Sequence, residues 1–429
     1  MTGASESIEV SRLDNGLVVA TDHLDSVDSV ALGLWIGRGT RDETADVCGV
    51  AHLVEHMVFK GTERRTARDI AEQIEAVGGS LDAYTSREHT SFQARILRDD
   101  VDLALDLIGD MVCHSRLTEA DLMVERTVVL QEIAQVADTP DDIIGDHFHQ
   151  AAFAGQSFGW PILGSSASVS ALDRSAVAGF VAQHYGADVS VVAASGRIDH
   201  EAFRRSVERT IGAMPSARPS PSTRAHYTGG NFRQDDALEQ VQLAIGFPGL
   251  AARDPDRVAL GLYAALLGGG MSSRLFQEIR EELGLVYAIS SHHSAYSDCG
   301  MLSIHAGTDA ADLPRLIPAL ADSVRRSLDD LGDAEVERAR VQARAGLLMS
   351  LEGPGGRADR LAGHVLTFGH VLSKDDMLGR LAAVTRDDIL RVARRTVAQP
   401  MTFAALGRIG GLEPYDQIRE RMGAASCFA

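Results

Sequence analysis

The chain has 429 residues, 45% of them apolar and 24% charged, and carries a formal net charge of −19. That length exceeds one ordinary hydrophobic core and predicts two domains. The acidic balance and the absence of a basic stripe argue against nucleic-acid binding, and no uninterrupted apolar run of about 18 residues offers a membrane span.

The opening stretch, Met1 to Glu9, is polar and acidic, unlike a secretory or transit peptide, and points to a cytoplasmic protein. Stretches rich in β-branched residues at 18–21 and 30–36 predict strands. A helix is expected at 48–59, and Thr66 can cap a second one that stops at Gly78 and Gly79. Residues 81–85 and 90–97 alternate as a hairpin. Helices are expected at 101–114, 118–138 and 175–185, with a strand at 189–195. The Pro- and Ser-rich run 215–224 reads as a linker, giving domains 1–215 and 231–429 around a linker at 216–230. Beyond it the order recurs: strand 241–247, helix 257–267, strands 287–293 and 300–306, helices 313–331 and 335–351, strand 401–406. The recurrence predicts an α+β protein of two homologous domains, each a mixed or antiparallel sheet with helices packed on it.

Chemistry concentrates in His52-Leu53-Val54-Glu55-His56. On a helix, side chains at i and i+4 leave one face a turn apart, so two neutral imidazoles can grip one metal ion, and tetrahedral zinc suits them. Glu55 lies on the same side and can act as a base toward water. The order is H-x-x-E-H, the inverse of the commoner string. A catalytic zinc wants a third protein ligand. The predicted helix 118–138 carries Glu125 and Glu132 seven positions apart, two turns on one partly apolar face. Carboxylates there become favourable beside a divalent cation. Cys48, four residues before His52, is an alternative ligand. The four cysteines, Cys48, Cys113, Cys299 and Cys427, show no C-x-x-C pair or framework spacing and are expected as thiols in a reducing compartment. His292 and His293, neighbours on a predicted strand, face opposite ways and do not read as a metal site.

With these residues in view, the chain resembles the pitrilysin-like, or insulinase-type, zinc metallopeptidases. It is most similar to the two-domain branch that includes mitochondrial processing peptidase and its bacterial homologues. The run Leu13-Asp14-Asn15-Gly16-Leu17 resembles the family's opening hairpin, and Gly49 through Thr62 is nearly its signature string. Glu132 falls 76 positions after His56, where the family has its third ligand. Gly268 through Phe276 resembles a further segment, followed by Arg280 and Tyr287 at the family's spacing of seven. The matches span residues 10–410. Two departures are Asp82, where the family often has Asn, and Phe92 in place of the commoner Tyr.

The resemblance implies His52, His56 and Glu132 as ligands of one zinc per chain, Glu55 as the base and Glu125 as the carboxylate that orients a ligand imidazole. It implies a zinc-dependent endopeptidase acting on peptides bound as an extended strand in an enclosed chamber. Arg280 and Tyr287 would assist catalysis, and Phe59, Asp82, Ala83 and Thr85 would contact substrate. It implies a clamshell of four domains, hence a homodimer or a pair with a related subunit. A non-catalytic scaffold subunit is the alternative. A small-molecule lyase with Cys113 as third ligand is a remoter one.

Overall fold

The computed structural model describes residues 7–217 and 221–425. The first six residues of the acidic N-terminus, residues 218–220 of the expected linker and Cys427 lie outside the described residues. Two compact units result, and their boundaries interleave along the chain. The first comprises the chain up to Ala134, Pro161–Thr223 and Leu347–Lys374. The second comprises Gln135–Trp160, Arg224–Gly346 and the chain from Asp375 onward.

The first unit holds a six-stranded sheet of β1 (Ser7–Arg12), β2 (Val18–His23), β3 (Ser29–Ile36), β4 (Ser80–Thr85), β5 (Thr90–Leu97) and β6 (Ser190–Gly196), ordered β1-β2-β6-β3-β5-β4. Only β2 and β6 run parallel; the other neighbours are antiparallel. The Leu13 to Leu17 turn joins β1 to β2, with Gly16 at φ 93°, a left-handed conformation that favours glycine. On one face Leu32, Leu34 and Ile36 of β3 pack with Val192 and Ala194 of β6 against the helices of the main core. On the other face Ala31, Trp35, Val191 and Ala193 pack against Ala358, Leu361 and Ala362 of helix Pro354–Phe368. Covering both faces explains why β3 and β6 read as continuous apolar runs. That late helix is also tied by charge: Arg357 and Arg360 donate to Asp22 of β2 at 2.9 and 3.2 Å, and Asp22 is fully buried.

The second unit holds β7 (Gly230–Asp235), β8 (Val241–Pro248), β9 (Ala288–Ala295), β10 (Gly300–Thr308) and β11 (Thr402–Gly407), ordered β7-β11-β8-β10-β9. Its parallel pair is β7 and β11, and the remaining neighbours are antiparallel. This repeats β2-β6-β3-β5-β4 strand for strand and direction for direction, which is the expected duplication. Helix Pro140–Ala152, from the first half of the sequence, belongs to this unit, and its Ile144 and Phe148 pack with Ala244, Ala404 and Leu406.

Each unit thus takes a helix encoded in the other half of the chain, so the expected limits at 215 and 231 do not delimit the compact units. Nor is the described part of the expected linker a loose tether. Ala217, Ala225 and Tyr227 are buried, the Tyr227 hydroxyl lies 2.7 Å from Thr402 Oγ1, and Gly230 already opens β7. Small polar residues mark where the chain leaves regular structure, but the apolar side chains among them still find a surface to cover.

Candidate metal centre

Helix Val50–Val58 presents the pentapeptide. Val50, Ala51, Leu53, Val54, Met57 and Val58 are all buried in the core, which leaves His52, Glu55 and His56 for the remaining face. Its first residue is preceded by Gly49 at φ 93°, where an added Cβ would stand 2.7 Å from the Leu163 carbonyl oxygen. A glycine cannot cap with a side chain, and Glu43 does so from a distance. Its Oε2 accepts from Gly49 N at 2.9 Å and its Oε1 from Ala51 N at 2.8 Å. Burial pushes the Glu43 carboxyl up to about 8, against those two backbone donors. Sequence reasoning missed Glu43; the signal was a histidine helix with no side-chain cap of its own.

Helix Glu119–Ala137 supplies the carboxylates. Thr118 Oγ1 accepts from Asp121 N at 3.1 Å, the expected N-cap. Glu132 Oε2 lies 3.8 Å from His52 Nε2 and 3.6 Å from His56 Nε2. One turn-pair earlier, Glu125 is buried; its Oε2 is 3.1 Å from His56 Nδ1 and its Oε1 is 2.7 Å from Lys60 Nζ. The two imidazole centroids are 4.7 Å apart. The structure therefore brings together His52, His56 and Glu132, with Glu125 beside the outer nitrogen of His56.

These residues fit a metal ion. His52, His56 and Glu132 each offer one donor atom, all within 4.8 Å of one another, the one such group among the described residues. Donors about 2.05 Å from a tetrahedral ion stand about 3.3 Å apart, and 3.6 and 3.8 Å are close to that. Glu132 Oε2, the atom facing both imidazoles, is buried and has no hydrogen-bond partner among the described residues. A buried carboxylate oxygen without a donor is costly unless a cation takes that place. Burial lowers the His52 pKa to about 4, with His56 adding to the effect, so that imidazole is neutral and its lone pair available at neutral pH. Neither Cys48 nor Cys113 belongs to the group. Burial raises both thiols, Cys48 to about 12 and Cys113 to about 11.

Beside the group runs an open groove of about 300 Å³ lined by Glu55, Phe59, Lys60, Leu81, Asp82 and Ala83. Of the residues expected to contact substrate, Phe59, Asp82 and Ala83 line this groove, whereas Thr85 is buried and does not. Leu81, Asp82 and Ala83 belong to β4, the last strand of its sheet, whose outer edge has no partner strand among the described residues. Burial raises the Glu55 pKa; the nearby Thr85 hydroxyl and His56 work against that rise. Arg280 and Tyr287 lie in the second unit. Arg280 Nε donates to the Tyr287 carbonyl at 2.9 Å, its guanidinium sits 4.6 Å from the centre of the Phe276 ring, and Tyr287 is 77% exposed. His292 and His293 join no metal-binding group, and His293 Nε2 is 3.2 Å from the Leu250 backbone.

Residues 18–166 match the model of the insulinase peptidases, family M16, and residues 171–342 match that of the M16 inactive domain. The second description agrees with a metal group confined to the first unit. An uncharacterized zinc protease of Rickettsia bellii is 36% identical over 94% of this chain and 98% of its own length. One from Streptomyces coelicolor is 36% identical over 94% of this chain and 90% of its own, and one from Bacillus subtilis 32% identical over 93% and 98%. The fold is shared with a crystal structure of a protease from Helicobacter pylori, 21% identical, with a TM-score of 0.87 over 95% of this chain and 100% of that one. No helix among the described residues is long and apolar enough to cross a membrane. On these grounds the chain belongs to the insulinase family, M16, of peptidases.

Proposed function

We propose that this chain is a zinc-dependent endopeptidase, with one zinc per chain held by His52, His56 and Glu132. The observation that carries the reading is Glu132 Oε2, buried without a donor and facing two imidazole nitrogens at 3.6 and 3.8 Å, next to a groove lined by Glu55. The ion, when bound, supplies Lewis acidity toward water and a peptide carbonyl. Glu55 takes the proton of the attacking water and returns it to the leaving amine. Proton transfer of this kind is worth about 10²- to 10⁴-fold. A peptide pairs as an extended strand with the open edge of β4, so that backbone hydrogen bonds hold it and the groove at Phe59 and Asp82 selects side chains.

The proposal includes a homodimer, or a pair with a related subunit, that encloses the substrate, with Arg280 and Tyr287 of one chain stabilising the oxyanion at the zinc site of the other. The decisive experiment incubates purified protein with a defined peptide mixture, with and without chelator, and reads cut sites by mass spectrometry. Chelator-sensitive cleavage that Glu55→Gln abolishes while zinc stays bound is expected. One zinc per chain with no cleavage of any peptide would instead favour a non-catalytic scaffold.

A further inference from the structure

Behind the Glu55 carboxylate lies a group of buried hydroxyls that the reaction as described does not use. Thr85, the last residue of β4, is 4% exposed, and so is Tyr185, which ends helix Arg174–His184. Glu55 Oε2, Thr85 Oγ1 and the Tyr185 hydroxyl are all buried without a hydrogen-bond partner among the described residues. Buried polar groups are normally paired, and a tyrosine in an apolar setting usually finds a partner for its hydroxyl. Phe92 and Phe180 flank Tyr185 with ring centres 6.3 Å away, which fixes the ring and aims its hydroxyl. Thr85 pairs across the β4–β5 hairpin with Thr90, whose hydroxyl is engaged by the Arg38 carbonyl at 3.1 Å. Helix Val50–Val58, which carries Glu55, packs against β4, which ends in Thr85. Burial raises the Glu55 carboxyl and the neighbouring Thr85 hydroxyl opposes that rise; burial also raises the Tyr185 phenol, with the Thr90 hydroxyl opposing and the Glu55 charge adding to it.

We infer that Thr85 and Tyr185 are positioning residues for the base: their hydroxyls hold Glu55 Oε2, directly or through one shared water, and keep the carboxylate aimed at the groove. The inference rests on the peptidase reading and deepens it. A glutamate has three rotatable side-chain bonds, and a base that wanders from its target loses much of its advantage. Thr85 also ends the strand whose Leu81, Asp82 and Ala83 line the groove. The strand that would receive substrate and the group that would attack it are thereby braced against each other.

The test uses the zinc-loaded full chain as wild type, Thr85→Val, Thr85→Ser and Tyr185→Phe, with kcat, KM and zinc affinity measured for each and crystal structures of wild type and Thr85→Val. Thr85→Val and Tyr185→Phe should lower kcat by about tenfold or more, with KM and zinc affinity within about twofold of wild type, and Thr85→Ser should restore kcat. A merely structural role would move folding stability and zinc affinity together with kcat and would not split kcat from KM. Either kcat within twofold of wild type for both variants, or Thr85→Ser as slow as Thr85→Val, overturns the inference. Should the wild type cleave no peptide, the peptidase reading falls and the crystal structures decide this point alone. Glu55 in one rotamer with Oε2 bonded to Thr85 or to a water shared with Tyr185, lost in Thr85→Val, supports it; Oε2 paired elsewhere or spread over several rotamers refutes it.

Discussion

Replacing Glu125 by Gln tests whether this carboxylate tunes the metal centre. Its two oxygens face opposite demands: Oε2 receives from His56 Nδ1 at 3.1 Å and Oε1 from Lys60 Nζ at 2.7 Å. Glutamine preserves shape but has one acceptor. If its oxygen faces His56, its amide hydrogens face the Lys60 ammonium, two donors meeting in a buried place. If its oxygen faces Lys60, the amide donates to His56 Nδ1, which must then carry its proton on Nε2, where the metal needs a lone pair. Loss of such a brace typically costs about 10- to 100-fold in metal affinity, or about 1.4–2.8 kcal/mol. Zinc affinity measured by competition with a chromophoric chelator should fall in that range, while far-ultraviolet circular dichroism stays unchanged. Glu125→Gln combined with Lys60→Met should recover part of the loss, because the amide then meets no ammonium. A zinc affinity within twofold of wild type in the single variant would refute the argument.

Three further outcomes are expected. Asp22→Asn removes the anion from between Arg357 and Arg360 in a buried site, and urea unfolding should show a loss of about 3–5 kcal/mol; less than 1 kcal/mol would mean that helix Pro354–Phe368 is held by apolar packing alone. Glu43, raised in the fold to about 8 from an ordinary value of 4.5, should contribute stability that is fully present below about pH 4.5 and is lost as pH rises through about 8. The difference in unfolding free energy between wild type and Glu43→Gln should therefore decline from pH 5 to 8; a flat difference would show that the two backbone donors cancel burial, and a rising one that they outweigh it. In mixtures of Glu55→Gln and Tyr287→Phe protein, activity should reappear if the tyrosine acts across the proposed dimer, and none despite proven subunit exchange would rule that out.

What the sequence alone settled is what one helix or one hairpin determines. His52 and His56 share a face because backbone hydrogen bonds fix a rise of about 1.5 Å and a turn of about 100° per residue, whatever packs outside. The seven-residue spacing of Glu125 and Glu132 obeys the same rule, and Thr66, with Asp69 three residues on, caps its helix as read. The duplicated strand order was legible because buried strands repeat their apolar runs in both halves. Pairings outside a single helix or hairpin were not legible. Glu43 reaches the histidine helix around a loop, Asp22 is matched by arginines more than 330 positions away, and two helices settle on sheets encoded in the opposite half of the chain. Thr85 looked like a groove residue from its place in an alternating strand, and the fold buried it. Local geometry is written in the spacing of residues, whereas the partner of a buried charge or hydroxyl depends on which surfaces meet when the sheets and helices close over them.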